Sequence, residues 1–92
     1  MQRQDNIYTR IASATTTQVV SKPGVLVAVI LNKPVASSTI KLIDNTSGST
    51  VNIGTITNTA DVKPYWLRYD LRFSTGLRII TDSADDLTIV WR

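Results

Sequence analysis

The chain has 92 residues, 42% of them hydrophobic, with ten Lys and Arg against seven Asp for a formal net charge of +3. That is the length of one domain, which by area scaling buries about 64% of its unfolded surface; oligomerisation would bury more. It contains no Cys and no His, which excludes disulfides, thiolate metal sites, and Ser–His or Cys–His nucleophile pairs.

In chain order, residues 1–10 read as a polar N-terminal arm, either a frayed terminus or a segment that orders on a partner with Ile7 and Tyr8 as its anchor. Residues 11–92 read as a single β domain. Residues 11–22 predict a first strand, rich in β-branched Thr15, Thr16, Thr17, Val19 and Val20, and Pro23-Gly24 ends it in a turn. Residues 25–31 are a continuous aliphatic run, as expected of a central strand covered on both faces. This longest apolar run is far short of the ~20 residues of a membrane span, and residues 1–6 lack an apolar signal core. The chain therefore reads as soluble and unsecreted by its own signals, with no membrane partner.

Residues 39–44 predict the next strand, with Ile40 and Leu42 inward and Lys41 outward. A Ser/Asn/Gly loop over 45–49 leads to a strand over 51–57, with Val51, Ile53 and Thr55 on one face and Gly54 at a bulge or close packing point. Residues 62–73 alternate with period two. Tyr65, Leu67, Tyr69, Leu71 and Phe73 share an inward face, and Trp66, Arg68, Asp70 and Arg72 share the other. A strand over 77–81, a polar loop over 82–86 and a last strand over 87–92 follow, with Leu87, Ile89 and Trp91 alternating against Thr88, Val90 and Arg92. Thirteen Thr, eight Ser and no Glu point the same way. The expected fold is all-β: a single antiparallel β-sandwich or small barrel of about seven strands, with no substantial helix.

The chemistry is sparse. Glycines stand alone, so there is no phosphate loop. Asp82, Asp85 and Asp86 cluster, but D-S-A-D-D has no calcium-loop spacing, so the reading is a solvated turn whose side chains cap their own backbone. No catalytic residue, metal or cofactor is expected. The cations are scattered without a run of four, which argues against a nucleic-acid partner. What remains is an outward face. Trp66 either plugs the second side of a covered strand or lies at an interface, and Arg68, Asp70 and Arg72 beside it favour the interface. The expected partner-binding residues are Arg3, Ile7, Tyr8, Arg10, Trp66, Arg68 and Arg72.

Four stretches resemble small structural proteins of tailed-bacteriophage virions: T-T-T-Q-V-V-S-K-P-G-V-L at 15–26, I-G-T-I-T at 53–57, F-S-T-G-L at 73–77 and D-L-T-I-V-W-R at 86–92. The resemblance is to β-sandwich decoration, or cement, proteins. It implies a non-enzymatic virion protein on the capsid surface, made in the host cytoplasm, bound to the major capsid protein and assembled as a homotrimer. A head–tail, tail or fibre-associated component is the second reading. A carbohydrate-binding module, stacking sugars on Trp66 and nearby Tyr, is the third.

Overall fold

Segments rich in Thr, Val and Ile, broken by Gly, Pro, Asn and Ser, favour extended strands joined by turns. The computed structural model describes residues 6–59 and 63–92. They form β1 (Ile7–Ile11), β2 (Thr16–Val20), β3 (Gly24–Lys33), β4 (Thr39–Ile43), β5 (Asn52–Thr57), β6 (Tyr65–Phe73), β7 (Leu77–Thr81) and β8 (Asp86–Trp91). Among the described residues no helix is long and apolar enough to cross a membrane.

The strands make two four-stranded sheets, β1-β8-β3-β6 and β2-β7-β4-β5. The order has a simple origin. The chain doubles back at the β4–β5 hairpin, so β4 pairs β5, β3 pairs β6, β2 pairs β7 and β1 pairs β8, all antiparallel. The ribbon then rolls until β3 also pairs β8 and β4 also pairs β7. This is the strand order of an eight-stranded jelly roll, a sandwich of two Greek keys.

The expected antiparallel sandwich is thus observed, with eight strands rather than about seven. The extra strand arises because the strand expected over 11–22 is broken. Its first residue, Ile11, ends β1, and small residues at 12–14 carry the chain across to the second sheet, where β2 begins. Thr81 pins this crossing. Its hydroxyl donates to the Ser13 carbonyl at 2.7 Å and accepts from the Thr15 N–H at 3.0 Å. The arm boundary drawn at residue 10 falls inside β1, whose residues 7–10 pair with β8 of the same chain. Arg3 lies outside the described residues.

The core sits between the sheets. Ile11, Leu26, Val29, Leu31, Phe73, Leu87, Ile89 and Trp91 come from the first, and Ile40, Leu42, Ile56, Leu77 and Ile79 from the second. Phe73 and Trp91 are core as expected, and Tyr65 and Tyr69 pack half-buried against it. In β5, Ile53 packs half-buried against the core. Register places Ile56 opposite Ile40 and Gly54 opposite Leu42, so these two face inward, while Val51 is 58% exposed. A Cβ on Gly54 would stand 3.1 Å from Leu42 Cδ1 and 3.4 Å from Tyr69 Cε1. The bare backbone there admits both side chains.

The loop over 82–86 is corrected. Its three carboxylates serve other segments rather than capping their own turn. Asp82 accepts from the Thr39 N–H at 2.9 Å, and Asp86 pairs with Arg10. Asp85 is fully buried, accepting from the Val35 N–H at 2.6 Å, the Ser38 hydroxyl at 2.8 Å and Asn58 Nδ2 at 3.0 Å. The Tyr65 hydroxyl donates to Asn58 Oδ1. This polar knot ties together the β3–β4, β5–β6 and β7–β8 loops. Burial, and then the Asp85 charge, raise the pKa of Tyr65.

Candidate functional site

The outward face of the first sheet is built by register. In β6 the alternation leaves Trp66, Arg68, Asp70 and Arg72 exposed and turns Tyr65, Leu67, Tyr69, Leu71 and Phe73 inward. Pairing then aligns two rows across all four strands. One runs Arg10, Thr88, Ile30, Trp66; the next runs Tyr8, Val90, Ala28, Arg68. Thus Tyr8 and Arg10 stand on one edge strand, with Trp66 and Arg68 on the other. Three strand intervals separate the edges, about 14 Å.

Between these walls lies an apolar floor. Val27, Ala28 and Val90 form a second small cluster, with Val25 and Ile30 packed against it. Val27 and Ala28 are each 7% exposed and Val90 5%. The expectation that the central strand is covered on both faces holds in a particular way. Its inner face meets the other sheet, and its outer face is sheltered by flanking side chains. The two sheets account for all eight strands, so no described strand or helix lies over that floor. The walls are large by contrast, with Tyr8 67% and Trp66 61% exposed. Exposed aromatics framing an apolar floor are the residue types and layout that anchor protein interfaces.

A bulge shapes the β6 wall. Leu26 pairs Leu71 and Ala28 pairs Arg68, so Tyr69 and Asp70 both stand opposite Val27. Asp70 takes φ +50°, a left-handed conformation that Asp tolerates better than most residues. Arg68 Nε donates to Asp70 Oδ2 at 2.8 Å. Charges and a bulge on an edge strand discourage edge-to-edge pairing.

The cations differ in their neutralisation. Arg10 grips Asp86 with two bonds, Nε to Oδ1 at 2.9 Å and Nη2 to Oδ2 at 2.5 Å. The Arg10 hydrogen bond holds the Asp86 carboxyl below the usual carboxylate range against the opposing pull of desolvation, and Asn32 adds to it. Arg68 is paired within its own strand. Arg72 makes no salt bridge or side-chain hydrogen bond among the described residues.

Of the residues expected to bind a partner, the structure brings Tyr8, Arg10, Trp66, Arg68 and Arg72 onto one face. It places Ile7 elsewhere. Ile7 pairs opposite Trp91, on the inward phase, and is 46% exposed at the sheet's open edge. Sequence reasoning missed the floor residues Ala28, Ile30 and Val90. The signal was present in the unbroken aliphatic run of β3 and the outward phase of Val90, but only register shows that they adjoin.

Among the described residues no three His, Cys, Asp or Glu side chains lie close enough to hold an ion. What the arrangement can do chemically is present apolar area, two aromatic rings and guanidinium donors to a surface that fits them. No protein-family model, curated protein or solved structure matches this chain.

Proposed function

We propose that this chain is an adhesive structural module that works by docking the outer face of its first sheet on a protein neighbour. The specific form of the proposal is a capsid decoration protein of a tailed-phage virion, a trimer seated on the major capsid protein. The observation that carries it is the juxtaposition of Tyr8 and Trp66, both more than half exposed, on opposite walls of an apolar floor. Leaving two large aromatics in water on one face has no benefit to the monomer, whereas an interface core buries both. The resemblance of residues 15–26, 53–57, 73–77 and 86–92 to virion proteins supports the setting. Jelly rolls recur in viral capsid and lectin domains, which is compatible with it, though a fold by itself does not choose a function.

Co-sedimentation with expanded capsid shells of the phage that carries the gene tests the proposal. Tyr8→Ala combined with Trp66→Ala should leave the fold intact, since both side chains face solvent. Losing two interface anchors at about 2 kcal/mol each should weaken particle binding by roughly three orders of magnitude. Unchanged occupancy would remove this face from consideration. Electron microscopy adds a second check. Copies spread over the shell fit decoration, and a few copies at one vertex would overturn it in favour of the head–tail reading.

A further inference from the structure

The same sheet ends in a second feature. Beyond the two rows already described, Arg92 pairs with Val25 through a reciprocal pair of backbone bonds at 2.7 and 2.9 Å, and Val25 pairs with Arg72. The two arginines therefore flank Val25, two strand intervals or about 10 Å apart. Lys22, from the β2–β3 turn, joins them around a cleft of about 550 Å³ whose apolar lining includes Ile7, Val25 and Trp91. Among the described residues no carboxylate side chain lines this cleft. Nor does Lys22, Arg72 or Arg92 form a salt bridge or side-chain hydrogen bond among the described residues. Arg10 and Arg68 each pair with an aspartate, whereas the cleft's three cations pair with none among the described residues.

We propose that this cleft binds an acidic, extended segment of the protein partner that presents two carboxylates on alternate residues, and so on one face of its chain. Four observations select that ligand. Three unneutralised cations call for an anion, and Arg forks match carboxylates in two-pronged fashion. The roughly 10 Å between the arginine strands suits two carboxylates about 7 Å apart on alternate residues of an extended chain, each reached by one long arginine, rather than one compact anion. Phosphate sites are usually built from free backbone N–H groups, and here the N–H groups of Val25 and Arg92 are both committed to each other's carbonyls. Three cations at one sheet end do not make the long basic stripe of a nucleic-acid site. Arg72 and Arg92 stand on the outer face beside Val25, while Ile7 and Trp91 close the cleft from the sheet's open edge. The inference rests on the proposed docking role.

The test is a titration of isotope-labelled protein, followed by amide NMR, with a blocked six-residue peptide of alternating Asp and Leu. Amide signals of Lys22, Gly24, Val25, Arg72 and Arg92 should shift together. Arg72→Ala should weaken binding at least tenfold, as should raising NaCl from 20 to 500 mM. Lys41→Ala, which removes an exposed cation from the opposite sheet, should leave binding within twofold. Absence of shifts at those residues overturns the inference. So does inorganic phosphate saturating the same signals at equal or lower concentration, or a single-stranded oligonucleotide binding more tightly than the peptide. The two proposals fail separately: unaltered particle binding by the Tyr8/Trp66 double variant removes the adhesive face, and a silent peptide titration removes the cleft.

Discussion

Replacing Asp85 probes whether the buried polar knot is structural. Its carboxylate is fully inaccessible and receives three donors, the Val35 N–H, the Ser38 hydroxyl and Asn58 Nδ2. In Asp85→Ala, the Asn58 amide keeps acceptors in the Val35 carbonyl at 3.1 Å and Ser38 Oγ at 2.7 Å. The Val35 N–H and the Ser38 hydroxyl proton are left stranded. Each stranded buried donor costs about 1–3 kcal/mol, so the loss should be about 4 kcal/mol. That is a large share of the roughly 5–15 kcal/mol that holds a domain together. Asp85→Asn keeps an acceptor for the Val35 N–H and should cost only about 1–2 kcal/mol. Urea unfolding followed by tryptophan emission measures both. A Trp66→Phe background removes the exposed indole and leaves buried Trp91 as the reporter. A loss below about 1 kcal/mol in the alanine variant, equal to that of the asparagine variant, would refute the reasoning. It would mean that the loop rehydrates at no cost, as a solvated turn would.

Three further outcomes are expected. Burial pushes the Asp44 carboxyl up, but the N–H groups of Ser74, Thr75 and Gly76 and the Ser74 hydroxyl outweigh it and hold its pKa below the usual value. A pKa depressed by folding contributes stability above the unfolded value of about 3.9 and loses it as pH falls through the folded value. Asp44→Asn should therefore lower the urea midpoint at pH 6, with the gap from the parent closing as pH drops towards 2. Gly24→Ala would set a Cβ 2.7 Å from the Arg92 carbonyl and 2.8 Å from Phe73 Cζ. Backbone and a buried ring must then shift, at about 1–3 kcal/mol in thermal or urea unfolding. Val51 is exposed yet holds φ +62°, where a β-branched residue is strained. Val51→Gly or Val51→Asn should raise stability by about 1 kcal/mol, read as a higher midpoint with unchanged slope.

What was legible in the chain was local. The alternation over 62–73 survives intact in β6 because an edge strand with one buried face selects side chains at every second position. The same holds for Leu87, Ile89 and Trp91 in β8. Legibility failed where several conformations satisfy the same local preferences. Nothing near Ile11 announces that the chain changes sheets there; that is decided by Thr81, whose hydroxyl holds the crossing. Gly54 signalled a close approach, but Ile56 was not placed inward, because the phase of β5 is set by its partner β4. Asp82, Asp85 and Asp86 look alike in the sequence. One caps a strand, one is sealed in the interior and one grips Arg10, according to which loop lies opposite.

The sequence by itself determined an all-strand scaffold, its turns, and which side chains share a face within each strand, since the two-residue period is a property of the extended backbone. Only the tertiary structure decided that Tyr8 and Arg10 share a surface with Trp66 and Arg68, and that Lys22, Arg72 and Arg92 meet around one cleft. Strand pairing is made by backbone hydrogen bonds that every residue can offer. Which strands become neighbours is therefore settled by closing the whole ribbon around a common core, and not by any single segment of it.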